Sequence, residues 1–386
     1  MDRRWNAGAI TMKKILVLVS IVMATVMLTA PHQAVAYPQY TLSRGQTCIE
    51  CHVSPTGGGL LTEQGMVTAE TQSSYGHAPE FIYGKWTPPE WLQLGGDFRG
   101  LGGVKVIDGK TDPVPVPIMQ ADLYAAAHYK NVTMYLLGGG KGGDPIDPPA
   151  TQFLQSREHW VQYRQNVDDN YGLSVRVGKF MPTSGLRFVE HNMYARRYGG
   201  TQLFSEAYAV AAHYIQPAYE LHVTGFVKDF RDPVEPSSGA ALYAEKRFNE
   251  KSAIGVLSRF AKSVDDTKLH YGVTAKHYCE CRDVLFQAEV QGIHQKVDAG
   301  GSNNQVVATA MATWIAAPAW MVDLALNYYD PNVRVNGLDR QALDLQAHWF
   351  VDSHFELLMS GRLQVLEFGS GGPTAASAFL QGHFRL

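Results

Sequence analysis

The chain has 386 residues, enough for one large domain or two, and 33 lysines and arginines nearly balance 36 aspartates and glutamates. That balance gives no electrostatic support for a nucleic-acid partner. Charged residues make up only 18%, below the quarter or so that is usual in soluble domains, and the 37 glycines and 19 tyrosines favour β structure. No apolar run of about 18 residues follows residue 40, so no transmembrane helix is predicted beyond the N-terminus.

Residues 1–36 have the pattern of a secretory signal peptide. A stretch that begins at Met12, MKKILVLVSIVMATVMLTA, has two lysines followed by an apolar core. Ala34 and Ala36 supply the small residues that signal peptidase requires, so cleavage is predicted after Ala36. The alternative is a retained membrane anchor. Either pattern predicts that the protein leaves the cytoplasm.

Residues 37–86 carry the most specific motif of the chain, TCIECHVSPTGGG. In it, Cys48 and Cys51 supply two thiols for thioether bonds to a haem, and His52 supplies an imidazole for the iron. Once both sulfurs are bound, the adjacent histidine already lies at the iron. The spacing therefore predicts one covalently bound haem c in a small cytochrome c-like segment.

The other readings of a CxxC motif are a thiol oxidoreductase and half of a zinc site. An oxidoreductase needs a βαβ context, and no such pattern surrounds residues 40–60. Zinc needs a second ligand pair nearby. The remaining cysteines, Cys279 and Cys281, are far along the chain. They share one strand face and could form a disulfide, bind a metal or be incidental thiols, and the sequence assigns them no function.

The sixth ligand of the predicted haem iron is not fixed by the motif. Met66 and His77 are the nearest candidates downstream. A methionine would raise the reduction potential relative to a second histidine. His77 is favoured because it lies in a loop-like stretch that can reach the iron. A ligand from the rest of the chain and an open position are the alternatives.

From residue 87 to residue 386 the sequence has the texture of a β-barrel. Segments of about ten residues alternate apolar and polar side chains, which is typical of strands with one apolar and one polar face. Leu269, Tyr271 and Val273, for example, oppose His270 and Thr274.

Sixteen strands are predicted, at residues 91–107, 117–129, 131–141, 152–166, 171–181, 206–216, 218–230, 239–249, 252–264, 267–279, 284–296, 304–316, 319–330, 340–351, 353–367 and 376–386. Their connections alternate between short turns and long loops. The fold class is therefore predicted to be all-β, an antiparallel outer-membrane barrel of about 16 strands with a small N-terminal c-type monohaem segment. A soluble sandwich or propeller is the alternative, and it should carry more charge on its surface.

Three connections and one set of aromatic residues bear on this barrel. The stretches 107–117 and 297–305 are predicted to be long loops. The stretch 178–200 fits neither a strand nor a short turn, and we expect a solvated loop with structural salt bridges rather than a loop that narrows the pore. Aromatic residues near strand ends, among them Trp91, Tyr129 and Trp160, are expected to form an interfacial girdle.

The layout resembles the fused outer-membrane cytochrome–porins of iron-oxidising bacteria. The resemblance rests on a signal peptide, one CxxCH motif, a barrel of about 300 residues, and Leu61, Thr62 and Gly65, which match the short pattern that follows the motif. The chain departs from the family after that glycine, where it runs GMVTAETQ instead of aromatic and basic residues.

The resemblance implies an electron conduit across the outer membrane. The haem segment would plug the barrel lumen or lie on its periplasmic side, take electrons from extracellular Fe(II) and pass them to a periplasmic c-type cytochrome, while outer-membrane lipid surrounds the barrel. The departure weakens Fe(II) as the donor more than it weakens electron transfer. Whether the chain is itself an Fe(II) oxidase stays open. The alternatives are a solute porin with a haem-bearing plug or sensor, and a conduit that works in the reductive direction.

Overall fold

The structure is a computed structural model that describes residues 47–72, 78–141, 155–166, 171–202, 204–230, 237–366 and 374–386. The predicted signal peptide at residues 1–36 and the candidate ligand His77 lie outside the described residues.

The described residues form a closed antiparallel barrel in which each strand pairs with its neighbours in the sequence and the first strand pairs with the last. The strands are β1 (Leu92–Ile107), β2 (Lys110–Tyr129), β3 (Val132–Lys141), β4 (Gln155–Arg164), β5 (Gly172–Phe180), β6 (Ala207–Gln216), β7 (Tyr219–Val227), β8 (Ser238–Asn249), β9 (Ser252–Lys262), β10 (Asp266–Cys279), β11 (Val284–Val297), β12 (Ser302–Ala317), β13 (Trp320–Asp330), β14 (Arg340–Phe350), β15 (Phe355–Leu366) and β16 (Thr374–Arg385). The predicted sixteen-stranded all-β fold is confirmed.

Strict alternation of side chains explains why these segments form a barrel. In β7 every second residue is buried along the whole strand. Val223 points outward and is 45% exposed, whereas His222 and Thr224 on either side of it are fully buried. Apolar residues thus cover the outside of the wall and polar residues face the lumen, which is the inverse of a soluble barrel.

The connection between β1 and β2 is a tight turn, so the prediction of a long loop at 107–117 is wrong. Asp108 and Gly109 both have positive φ, as two-residue hairpin turns require. The proline-rich stretch instead lies in β2, where Pro113 and Pro115 are in register with β1. Pairing of β2 with β3 starts only at Gln120, so these prolines leave no hydrogen bond of that ladder unmade.

Two other predictions about the barrel are also wrong. Strands β11 and β12 are separated by only residues 298–301, where a long loop was expected. Trp160 faces the lumen instead of joining an interfacial girdle: it is 3% exposed and stacks on Tyr135 with ring centroids 4.6 Å apart. Val161, its neighbour in β4, is the residue that points outward.

The long connection between β5 and β6 folds into the lumen, so the prediction of a solvated loop is wrong. None of the described residues from 181 to 202, which we call the inserted loop, is exposed. Its short helix α3 (Tyr194–Tyr198) packs against an apolar patch of the inner wall that includes Val307 and Met311. The N–H of Tyr194 donates to Oδ1 of Asn327 at 2.8 Å.

A second segment enters the lumen from the N-terminal side. Residues 47–72, which we call the N-terminal segment, contain the helices α1 (Cys48–Cys51) and α2 (Glu63–Gln72). A 3₁₀ turn at Phe81–Gly84 lies between the segment and β1. Among the described residues, no helix is long and apolar enough to cross a bilayer.

Arg176 of β5 anchors the N-terminal segment to the wall. Its guanidinium donates to Oγ of Ser54 at 3.1 Å and to Oγ1 of Thr56 at 3.5 Å. The same group lies 3.8 Å from the ring centroid of Phe180 and 5.3 Å from that of Trp160. Charge-assisted hydrogen bonds of this kind contribute roughly 1.5–3 kcal/mol each when buried, so this one side chain accounts for much of the docking.

We expect the inserted loop of the folded barrel to resist trypsin at Arg196 and Arg197, and the Tyr194→Ala variant to lose that resistance. Truncating a buried aromatic ring costs about 3–5 kcal/mol, which lowers the cost of local opening. Cleavage should accelerate at least tenfold, measured by mass spectrometry of the fragments. Tyr129→Ala, which truncates a tyrosine that is 72% exposed, is the control. Equal cleavage rates in all three proteins would contradict the inserted position.

We expect Arg176→Met to release the N-terminal segment. Burial raises the pKa of the Cys51 thiol to about 11, so release should bring that pKa back toward its ordinary value and increase the reactive thiolate. In protein made without haem and lacking Cys279 and Cys281, maleimide labelling at pH 7 should accelerate at least tenfold. Arg340→Met, at the opposite end of the barrel, should label like the parent protein. Unchanged labelling of the Arg176 variant would show that other contacts hold the segment.

Candidate functional site

Helix α1 is one turn long and presents the haem motif. It begins after Thr47, whose backbone N–H donates to the carboxylate of Glu50. It ends at His52, whose N–H donates to the carbonyl of Cys48 at 2.9 Å. Residues three apart lie on one helix face, so Cys48 and Cys51 face the same way. Neither cysteine forms a disulfide, and thioether formation requires reduced thiols.

The pattern after the motif holds α2 against α1. The N–H of Thr62 donates to the carbonyl of Cys51 at 3.0 Å, and its hydroxyl donates to the carbonyl of Glu50. A Cβ at Gly65 would lie 2.1 Å from the carbonyl oxygen of Cys51, so only glycine fits. The residues that carry the family resemblance therefore have a packing role that the sequence alone did not reveal.

A cavity of about 670 Å³ opens beside these helices. Cys48, Cys51, His52 and Met66 all line it. The structure thus brings together every predicted site residue that it describes. The volume falls within the roughly 300–1,000 Å³ of small-molecule and cofactor sites.

His52 has the properties of a metal-binding imidazole. Burial, with a further contribution from the charge of Arg187, lowers its pKa to about 4, so the ring is neutral at physiological pH. Its Nδ1 is buried and has no hydrogen-bond partner among the described residues. Neutral imidazole is the form that coordinates metals. Two reduced thiols one helical turn apart, an adjacent neutral imidazole and a cavity of cofactor size fit a c-type haem.

The wall of the cavity carries charges of both signs, and its carboxylates are those of Glu80, Asp97, Glu158 and Glu206. Five arginines line it: Arg99, Arg157, Arg187, Arg196 and Arg385. Sequence alternation could have identified the inward-facing strand positions among them. It could not show that strands from both ends of the chain meet the inserted loop around one cavity.

Only part of this basic charge is neutralised by neighbouring carboxylates. Arg157 pairs with Asp122 at 2.5 Å and with Glu206 at 3.1 Å. Arg187, by contrast, donates to Sγ of Cys48 at 3.3 Å and to the carbonyl of Pro55 at 3.5 Å. The inserted loop is thereby tied directly to the haem motif.

The second pair of cysteines lies away from this cavity. Cys279 and Cys281 form a disulfide across the turn that follows β10, with Cα atoms 5.4 Å apart. Of the alternatives that the sequence left open, the structure shows the disulfide.

No known family model matches the sequence, and no curated protein matches it. The fold is nevertheless similar to solved outer-membrane proteins. OmpT of Vibrio cholerae in its trimer form aligns with a TM-score of 0.60 at 12% identity, over 76% of this chain and 99% of OmpT. OprB of Pseudomonas putida gives 0.58 at 11% identity, over 77% of this chain and 94% of OprB. An anion-selective porin from Comamonas acidovorans gives 0.54 at 12%, over 76% and 97%. At this identity the likeness establishes a porin-like barrel fold.

Proposed function

We propose that the protein carries electrons across the outer membrane through one haem c held in the lumen of the barrel. The observation that carries the proposal is that Cys48, Cys51 and His52 line a cofactor-sized cavity inside a porin-like barrel. Thioether bonds to the two cysteines would fix the haem, and His52 would bind its iron. When bound, a c-type haem supplies a one-electron couple. Extracellular Fe(II) is the proposed donor and a periplasmic c-type cytochrome the proposed acceptor.

The outward face of the wall supports a membrane location. Large apolar residues such as Leu123, Val210 and Leu326 are more than half exposed on it, and a water-soluble protein rarely exposes so much apolar surface. Lipid would cover this surface, as it does in the outer-membrane barrels of the same fold. The end of the barrel with the short turns would then face the periplasm. The start of β1 and the N-terminal segment would lie on that side.

Met66 is the candidate for the sixth iron ligand among the described residues, because it lines the same cavity as His52. A methionine ligand raises the reduction potential relative to a second histidine. That would suit a carrier that accepts electrons from Fe(II). His77 stays the alternative, and so does a conduit that runs in the reductive direction.

The second candidate function is a solute channel whose haem segment is a plug or sensor. The fold comparison favours it, since the similar structures include a porin described as anion-selective. The contents of the lumen favour the conduit, because both the N-terminal segment and the inserted loop occupy space that a sixteen-stranded porin leaves to water.

To test the conduit, the protein is purified from outer membranes in detergent and its spectrum is recorded before and after addition of Fe(II). We expect a c-type spectrum that Fe(II) reduces. His52→Ala should abolish reduction by Fe(II), whereas His277→Ala, which alters an exposed histidine, should leave it intact. Reduction that survives in His52→Ala would contradict the proposal. A haem that dithionite reduces and Fe(II) does not would keep the haem barrel and exclude Fe(II) as the donor.

Conductance in planar bilayers separates the conduit from the solute channel. The conduit predicts little conductance while the N-terminal segment is present. Arg176→Met should raise it by releasing that segment, and a variant lacking residues 37–86 should conduct most, since the wall of the barrel persists. Large conductance in the complete protein, comparable with that of the deletion variant, would favour the solute channel.

A further inference from the structure

Arg99 of β1 is an unpaired cation in the wall of the cavity. Among the described residues, its guanidinium makes no ion pair or hydrogen bond, and its Nε is buried without a partner. A buried donor that lacks a partner is unfavourable, and more so when it is charged. The cavity therefore holds a guanidinium that has neither a hydrogen bond nor an ion pair among the described residues.

Neighbouring carboxylates are already engaged with other groups. Asp97, two residues before Arg99, accepts from Nε2 of His383 at 2.7 Å and from the hydroxyl of Tyr124. Glu158 accepts from the indole of Trp160 at 3.0 Å. Asp97 is within electrostatic reach of Arg99, but its hydrogen bonds go to other donors, so the N–H groups of Arg99 can bind an anion that enters the cavity.

Arg196 of the inserted loop lines the same cavity as Arg99. Its guanidinium donates to the carbonyls of Phe188 at 3.1 Å and Val189 at 2.6 Å, which are neutral acceptors. Burial lowers the pKa of Arg196; the charges of Glu190 and Glu206 oppose this shift, and the smaller contributions of Arg157 and Arg99 add to it. Like charges gathered in a buried cavity are unfavourable until an anion neutralises them.

Arg187 lines the cavity next to the haem motif. It contacts Sγ of Cys48, the atom that would bond to a haem vinyl group. The two propionates of a haem leave the macrocycle on the edge opposite the vinyl groups. The group that would meet them is therefore an arginine that does not contact the thiols.

We propose that Arg99 and Arg196 form a carboxylate-binding subsite of the cavity, and that this subsite takes the propionates of the haem. The inference rests on the proposed function, because it requires a haem bonded to Cys48 and Cys51. Arginine is suited to the task, since its planar fork binds carboxylates through two parallel hydrogen bonds. The subsite would also bind the haem to both the barrel wall and the inserted loop.

The test is a spectroelectrochemical titration of the purified holoprotein in detergent, on the parent, Arg99→Gln, Arg99→Lys and Arg334→Gln proteins. Arg334 is exposed in a loop, so its variant controls for the loss of one charge. A cation near the iron favours the ferrous state. Arg99→Gln should therefore lower the reduction equilibrium constant about tenfold, which is about 59 mV for one electron. Arg99→Lys should keep most of the parent value, and Arg334→Gln should keep all of it.

Each outcome separates the subsite from the proposed function. A c-type spectrum with the same midpoint potential in Arg99→Gln and Arg334→Gln overturns the subsite and leaves the haem conduit standing. The absence of covalent haem from a folded barrel overturns both. Millimolar succinate gives the third arm: a succinate-dependent potential in the parent that disappears in Arg99→Gln assigns Arg99 to a free carboxylate and overturns the assignment to the haem. Heat-modified gel mobility reports that each barrel is folded.

Discussion

Closure of sixteen strands is the constraint on which the rest of the structure depends. Every strand is then paired with two neighbours around the ring, and closure removes the edge strands that an open sheet would have. A ring of this size also leaves a wide lumen, which in porins is filled with water. Here two segments of the chain occupy that space. Arg176 holds the N-terminal segment, and an apolar patch around Met311 holds the inserted loop.

The barrel could be predicted from the sequence because its signal is local and repeated. Alternation between lipid-facing and lumen-facing residues recurs in each strand, so errors at one strand do not spread. The errors occurred where tertiary pairing decides the outcome. Pro113 was predicted to lie in a loop because proline disrupts a sheet. It is tolerated in β2 because β3 does not pair with β2 at that point. The inserted loop was expected to be solvated because it is rich in charged residues. In the structure Arg196 donates to a carbonyl of the loop and Arg187 donates to the N-terminal segment.

For the site, the sequence predicts the residues that would attach the haem, but not the cavity that surrounds them. The spacing of Cys48, Cys51 and His52 predicts haem attachment from three residues, and the structure adds that all three line one cavity. Arg99 could not be predicted, because its significance depends on which neighbouring acids are engaged elsewhere. Gly65 belongs to the short pattern that follows the haem motif. The sequence did not show why a glycine is needed there, because the reason is its close approach to the carbonyl of Cys51 in the folded chain.

An insulating wall and a cavity lined by arginines would raise the reduction potential of a bound haem. Burial would withdraw water from the iron and favour the form with the lower charge, and the guanidinium of Arg99 would act in the same direction. Both effects raise the reduction potential, and a Met66 ligand would add to them. A haem in this cavity would therefore be a better acceptor than one exposed in solution. That is the property a carrier needs if its donor is a weak reductant outside the cell.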